Sequence, residues 1–198
     1  MAFRIDDEYL PATLTSRLMS DEEFITFCNQ YPDLFFEMTA EGDLVVMAPR
    51  DCLTGARNAN VAAELHNWSR QDRSGFCADS STGWVLPNGA RRSPDASWTA
   101  KDRVRGMDLR TFLHLCPDFV VEIKSDADRL PALRSKMREY MENGVRLGWL
   151  IDPASRTIEV YRLDGDVMTH TGVQQLEGEG PVLGFVLDLT YVWDPMAG

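Results

Sequence analysis

The stretch PDFVVEIKS (Pro117–Ser125) combines the pattern of a buried strand with an acid and a base near its end. β-branched and aromatic residues dominate its middle, which is typical of a β-strand. Side chains alternate between the two faces of a strand, so Glu122 and Lys124 share one face while Val121 and Ile123 share the other. The sequence therefore predicts a strand whose apolar face packs on a helix and whose other face holds a carboxylate and an ammonium.

A second acid lies upstream in the dipeptide Pro94-Asp95. Charged groups at the end of an apolar strand cost desolvation free energy unless a partner neutralises them. A divalent metal bound by Asp95 and Glu122, with Lys124 close to a water and a phosphate, would supply that partner. The alternative is a chance match with a solvated Glu-Lys pair, since Pro-Asp is also a turn former and occurs again at Pro117-Asp118.

Six segments of the chain match, in order, the motifs of one protein family. They are FEMTAEGDLVVMAP (36–49), SSTGWVLPNGARRSPDASW (80–98), PDFVVEIKS (117–125), KMREYMENGVRLGWLIDP (136–153), IEVYR (158–162) and VLGFVLDLTYVW (182–193). They resemble the Uma family of "putative restriction endonucleases", a branch of the PD-(D/E)XK nuclease superfamily. An ordered series of this kind is more specific than the catalytic letters alone.

The resemblance implies a restriction-endonuclease-like α/β (α+β) fold, with a mixed β-sheet and an αβββαβ core flanked by helices. It implies hydrolysis of DNA phosphodiester bonds, with Asp95, Glu122 and Lys124 as catalytic residues. The metal ligands would be Asp95, Glu122 and the backbone carbonyl of Ile123. Oxygen ligands of this kind suit Mg²⁺ or Mn²⁺ rather than Zn²⁺.

Two features depart from the family. Many members have a histidine after the entry hairpin, where this chain reads LTGARNANVAAEL (53–65). Many also have an aliphatic residue where Lys124 stands and take their lysine from the following helix, which here carries Lys136. We expect Lys124 to act, because strand pairing fixes its position, and Lys136 to contribute to stability. Glu37 and Glu64 are either further acids of the metal site or solvated surface groups.

The length of the chain and the lack of a long linker predict a single domain over residues 1–198. Its core elements are preceded by an N-terminal helix and hairpin extension (1–50) and followed by a C-terminal hairpin extension (155–198). A capping box at Ser20 and Glu23 marks the start of the first helix, and Asn143-Gly144 marks the end of another. The predicted helices are 21–30, 55–70 and 131–143, and the predicted strands are 35–47 (a hairpin), 75–86, 96–98, 119–124, 147–152, and the hairpin 158–161 with 167–171.

Composition predicts an ordinary soluble protein of the cytoplasm. The chain has 198 residues, of which 44% are apolar and 26% charged. The acidic first residues do not resemble a signal peptide, and no apolar run is long enough to span a membrane. The four cysteines lack metal-ligand spacing, which predicts reduced thiols and no zinc site. We interpret the unclustered histidines as structural and most tryptophans as core residues: Cys28, Cys52, Cys77, Cys116; His66, His114, His170; Trp84, Trp98, Trp149, Trp193.

The net charge of −11 opposes binding to a polyanion. Basic residues gather in one stretch, as a rim for DNA or as an ordinary solvated loop: Arg91, Arg92, Lys101, Arg103, Arg105 and Arg110. Cutting both strands of a duplex with one active site per chain predicts a homodimer. Two alternatives stay open, namely a catalytically silent nuclease-fold domain that binds nucleic acid or protein, and a hydrolase of a smaller phosphoester.

Overall fold

The computed structural model of the chain describes residues 12–47 and 50–197. Within these residues the α-helices are α1 (Asp21–Gln30), α2 (Cys52–Asp72), α3 (Leu130–Glu142) and α4 (Thr190–Trp193). The strands are β1 (Ala12–Leu14), β2 (Phe35–Met38), β3 (Leu44–Met47), β4 (Gly75–Asp79), β5 (Trp84–Val85), β6 (Arg91–Arg92), β7 (Ala96–Ala100), β8 (Phe119–Ile123), β9 (Leu147–Asp152), β10 (Thr157–Arg162), β11 (Val167–Thr171), β12 (Gln175–Glu177) and β13 (Val186–Asp188).

The largest sheet is mixed, with the strand order β11-β10-β9-β8-β7-β4. Strands β8 and β9 run parallel and are joined through α3, whereas the other neighbours are antiparallel. Helix α2 precedes β4, so the elements α2, β4, β7, β8, α3 and β9 form the αβββαβ core. The predicted fold class is confirmed.

A second sheet has the order β1-β3-β2-β6-β5 and contains the predicted hairpin of β2 and β3. The prediction of one strand over 75–86 is wrong, because the chain leaves the large sheet after β4 and enters the second sheet at β5. Asp79 stabilises the turn: its Oδ1 accepts a hydrogen bond from Ser81 N at 3.0 Å, and its carbonyl accepts one from Thr82 N at 3.1 Å. The return from β6 to β7 carries Asp95 to the junction of the two sheets.

Strand β8 is buried on both faces, and the predicted alternation of its side chains is confirmed. Phe119, Val121 and Ile123 belong to the apolar cluster that includes Val61 and Leu65 of α2. The opposite face packs on α3, and the tryptophans expected in the core are buried: Trp84, Trp98, Trp149 and Trp193.

The predicted helix boundaries largely agree with the structure. Ser20 and Glu23 form the capping box of α1, and Asn143 caps the end of α3 just before Gly144, whose φ is +99°. Helix α2 begins earlier than predicted, because Asp51 accepts a hydrogen bond from Thr54 N and acts as its N-cap. The first residues of the predicted N-terminal extension, 1–11, lie outside the described residues, and the single-domain boundaries stay a prediction. None of the described helices combines the length and the apolar character needed to cross a bilayer.

Candidate active site

Asp95 lies immediately before β7, and its side chain is 1% exposed. Its Oδ1 atom accepts hydrogen bonds from Arg50 Nη2 and from Asn58 Nδ2, both at 2.8 Å. Its Oδ2 atom accepts the backbone N–H of Ile123 at 2.8 Å. The carboxylate therefore connects the start of β7 with the end of β8 and with the beginning of α2.

Glu122 lies near the end of β8 on the face that packs against α3. Its side chain is 2% exposed, and its Oε1 atom contacts Lys136 Nζ at 2.8 Å. The same oxygen accepts a hydrogen bond from the Tyr140 hydroxyl at 3.0 Å. Lys136 and Tyr140 are separated by one turn of α3, so a single helical face supplies both partners.

Glu37 on β2 joins this cluster from the second sheet. Its Oε1 atom lies 2.7 Å from Lys136 Nζ and accepts the backbone N–H of Ser93 at 2.9 Å, while Oε2 lies 3.1 Å from Arg92 Nη1. The alternative of a surface group is wrong for Glu37, since it is buried in an ion-pair network. Lys136 therefore bridges one carboxylate from each sheet.

The cluster opens into a cleft of about 1030 Å³ between the second sheet and α3. Both acidic and basic side chains line the cleft, and this combination suits a metal ion and a phosphate rather than an apolar ligand. The charged residues that line it are Glu37, Arg50, Arg92, Glu122, Asp128, Arg129, Lys136 and Glu139.

Burial and mutual repulsion shift the acids of the cluster in different directions. Burial raises the pKa of Glu122 to about 7; the negative charges of Asp95 and Glu37 add to this rise, and Lys136 opposes it. Burial also raises the pKa of Asp95 despite the nearby Arg50. Burial would raise the pKa of Glu37 too, but Lys136 and Arg92 outweigh it and lower the pKa. The pKa of Glu122 therefore lies near neutral pH.

The two candidate lysines have different surroundings. Burial opposes the charged form of Lys136, but Glu122 and Glu37 raise the pKa of its ammonium above the ordinary value, so it is cationic. Lys124 lies beyond the end of β8, and its Nζ donates to the carbonyl of Ser125 at 3.2 Å. Across residues 12–47 and 50–197, the ion pairs of Glu122 and Glu37 include Lys136 and do not include Lys124. The structure therefore brings Lys136, rather than Lys124, to the carboxylates.

The remaining sequence candidates lie elsewhere. Glu64 is on α2 as predicted, but its Oε2 atom accepts the backbone N–H of Asp188 at 2.8 Å and so supports the C-terminal segment. The basic stretch does not form one rim. Arg92 enters the cleft, Arg91 pairs with Asp21, and the guanidinium of Arg103 pairs with the second Pro-Asp carboxylate, Asp118.

Three residues of the site escaped the sequence analysis, namely Arg50, Asn58 and Tyr140. Arg50 and Asn58 reach Asp95 across 45 and 37 positions of sequence, so local spacing carries no sign of either contact. Tyr140 could have been found, because it follows Lys136 by one helical turn and a buried tyrosine hydroxyl needs a hydrogen-bond partner.

The donor atoms of the site fit a hard divalent cation. Asp95 and Glu122 supply carboxylate oxygens, and the buried Oδ1 atom of Asn58, beside Asp95, has no hydrogen-bond partner among the described residues. No group of three or more His, Cys, Asp or Glu side chains with metal-site geometry occurs in the described parts of the chain. Few protein ligands, all of them oxygen, are what Mg²⁺ or Mn²⁺ uses when water and substrate complete its coordination.

The order and directions of the strands in the large sheet are those of the restriction-endonuclease-like fold class. A crystal structure from Anabaena variabilis, described as a putative nuclease belonging to DUF820, is similar in fold, with a TM-score of 0.71. It is 16% identical in sequence, and the match covers 88% of this chain and 97% of that one. The family model Uma2, described as "Putative restriction endonuclease", matches residues 21–190, and the chain belongs to this family. No curated relative matches the chain.

Proposed function

We propose that the protein is a metal-dependent endonuclease that hydrolyses phosphodiester bonds of DNA. The observation that carries this proposal is the position of Lys136, whose Nζ lies 2.8 Å from Glu122 and 2.7 Å from Glu37 beside a cleft. Family membership and the nuclease-like fold support the same conclusion. An ammonium held between two buried carboxylates, with Asp95 close to one of them, supports a chemical role for this cluster.

The proposed role of each residue follows from its position in the site. Asp95, Glu122 and the Ile123 carbonyl would hold Mg²⁺ or Mn²⁺, which supplies Lewis acidity to a bound water and to the phosphate when present. Lys136 is oriented by Glu122 and Glu37, and its ammonium stabilises charge that develops on the phosphate oxygens. The proposal therefore gives Lys136 the role that the sequence pattern assigned to Lys124. Tyr140 holds Glu122 in place through the 3.0 Å hydrogen bond.

Nicking of supercoiled plasmid with Mg²⁺, with and without EDTA, tests the proposal. The wild-type protein should nick the plasmid only with metal, and Glu122→Gln should lose this activity because the variant removes a charged ligand. Glu64→Gln is the control, since Glu64 is a half-buried glutamate outside the cluster whose carboxylate accepts the backbone N–H of Asp188. Equal nicking by wild type and Glu122→Gln would contradict the proposal.

One observation favours the alternative of a catalytically silent binding domain. Protein groups already satisfy the carboxylates, as in the 2.8 Å ion pair between Arg50 and Asp95. A silent domain would bind no Mn²⁺ in calorimetry and would leave plasmid intact. Turnover of a chromogenic phosphodiester without nicking of DNA would instead favour the smaller-phosphoester hydrolase.

The proposal also includes a homodimeric assembly and a cytoplasmic location. A homodimer would present two such clefts to the two strands of a duplex. Light scattering at micromolar concentration should then give twice the mass of one chain, and a single-chain mass would contradict the dimer. A cytoplasmic location is part of the proposal because DNA is the substrate.

A further inference from the structure

The carboxylate of Asp95 is almost fully occupied by hydrogen-bond donors. A carboxylate offers about four lone-pair positions in all. Arg50 and Asn58 use Oδ1, and the Ile123 N–H uses Oδ2. A metal ion that binds Asp95 must therefore share an oxygen with a donor or displace one.

The three donors differ in how easily they can move. The Ile123 N–H belongs to the backbone of β8 and is fixed by the sheet. Asn58 has a short side chain on α2, and its N–H is held toward Asp95 because the alternative amide orientation would place oxygen against oxygen. Arg50 precedes α2 on a long, flexible side chain that is 30% exposed. Arg50 is thus the donor that can leave.

A second acceptor for Arg50 already lies beside the first. Its Nη1 atom is 3.7 Å from Asp128 Oδ2, in the segment between β8 and α3. Asp128 is fixed by hydrogen bonds from Ser125 N at 2.9 Å and Ser125 Oγ at 2.7 Å. The guanidinium can therefore move away from Asp95 and keep an ion pair inside the cleft.

A guanidinium and a divalent cation repel each other strongly at adjacent positions in a poorly solvated site. The carboxylates in turn need a positive partner whenever the metal is absent, because burying unpaired charge is unfavourable. We propose that Arg50 is an exchangeable counter-ion, which neutralises Asp95 in the metal-free protein and moves to Asp128 when Mg²⁺ or Mn²⁺ binds. This inference rests on the metal site of the proposed function. It implies that Arg50 lowers the affinity for metal.

Calorimetric titration of the purified full chain with MnCl₂ at pH 8 tests the exchange. Arg50→Met should bind Mn²⁺ about tenfold more tightly than wild type, as expected for a moderate coupling between two sites. Arg103→Met is the matched control, because Arg103 pairs with the other buried Pro-Asp carboxylate, Asp118, and should leave the affinity unchanged. Equal or weaker Mn²⁺ binding by Arg50→Met, with binding by wild type, would overturn the inference and leave the proposed function standing. Absence of binding by all three proteins would overturn both.

A second measurement on the wild-type protein does not depend on the folding of Arg50→Met. The Nε–H resonance of Arg50 in ¹H–¹⁵N NMR, assigned from its loss in Arg50→Lys, should shift on saturation with Mg²⁺. The Arg103 resonance serves as the internal control and should stay in place. An unchanged Arg50 resonance in a sample that binds Mg²⁺ would contradict the exchange.

Discussion

The two Pro-Asp dipeptides of this chain have nearly the same local geometry and different surroundings. Each aspartate immediately precedes one of the paired strands β7 and β8, and each is 1% exposed. Asp95 accepts the N–H of Ile123 at the end of β8, and Asp118 accepts the N–H of Ala100 at the end of β7. The antiparallel pair is thus closed by one carboxylate at each end.

The difference lies in what else reaches each carboxylate. Asp118 Oδ1 lies 3.0 Å from Arg103 and 3.8 Å from Arg146, two partly exposed arginines. The charge of Asp95 acts on Glu122, and Glu122 and Glu37 share Lys136. Both Pro-Asp carboxylates of this chain therefore connect the ends of β7 and β8. Only at Asp95 do other elements bring further carboxylates and a buried ammonium, which makes it the candidate catalytic site.

Substitution of the two candidate lysines should give the largest difference in cleavage activity. Lys136→Met should lower turnover about a hundredfold, because a lost transition-state charge partner costs on the order of 3 kcal/mol. Lys124→Met should leave turnover near that of wild type, since Lys124 contacts the Ser125 carbonyl instead of the acids. Single-turnover cleavage of a DNA duplex checks both variants, with circular dichroism to establish the fold. A dead Lys124→Met and an active Lys136→Met would reverse the assignment.

The pH dependence of stability tests whether burial and the neighbouring carboxylates raise the pKa of Glu122. The pKa of Glu122 is about 7 in the folded protein, against an ordinary value of 4.5. The folded state therefore holds this proton more tightly, so the contribution of Glu122 to stability is complete below pH 4.5 and is lost as the pH rises through 7. The loss should amount to about 3 kcal/mol.

Urea unfolding between pH 4.5 and 8 in EDTA measures this effect. The free energy of unfolding of wild type should fall relative to that of Glu122→Gln, which cannot titrate at this position. A constant difference between the two proteins across this range would mean that the pKa of Glu122 is not raised in the folded protein.

Removal of each aspartate compares the two ends of the strand pair directly. Asp118→Ala should cost about 2 kcal/mol, because it leaves the Ala100 N–H and two arginines without their acceptor. Asp95→Ala should cost less, because the loss of its charge also relieves repulsion with Glu122. Chemical unfolding at pH 8 without metal checks the order, and a larger loss for Asp95→Ala would contradict it.

The smallest expected effect concerns Arg146. Its side chain is 54% exposed and its Nη1 atom lies 3.8 Å from Asp118. Solvent screens the exposed guanidinium at this distance, so the pair should contribute about 0.5 kcal/mol. Arg146→Ala should therefore leave the midpoint of thermal unfolding almost unchanged, whereas a loss as large as that of Asp118→Ala would show that this arginine is the main partner.

Features that depend on the sequence of a single helix or strand could be predicted from the sequence. The alternation in β8, the capping box of α1 and the end of α3 at Asn143 all follow from short-range spacing, and all three are present in the structure. The positions of Glu37 and Arg50 in the site could not be predicted from the sequence. It depends on the second sheet packing at the ends of β7 and β8, and on contacts such as Arg50–Asp95 across 45 positions.

Strand alternation does not predict which lysine lies beside the carboxylates, for a related reason. Alternation fixes the face on which Lys124 starts, but β8 ends at Ile123 and the flexible side chain finds the Ser125 carbonyl. Lys136 instead enters from a helix that packs on the Glu122 face. Helix packing, which no local pattern encodes, therefore decides which ammonium meets the carboxylates.

Plasmid nicking by Asp95→Asn and Asp118→Asn with Mg²⁺ tests most directly whether the Asp95 cluster is the active site. Both variants remove one buried carboxylate charge next to a proline, at opposite ends of the same strand pair. We expect Asp118→Asn to nick DNA in proportion to its folded fraction, while folded Asp95→Asn should leave the plasmid supercoiled. Nicking by Asp95→Asn at the wild-type rate would contradict the account.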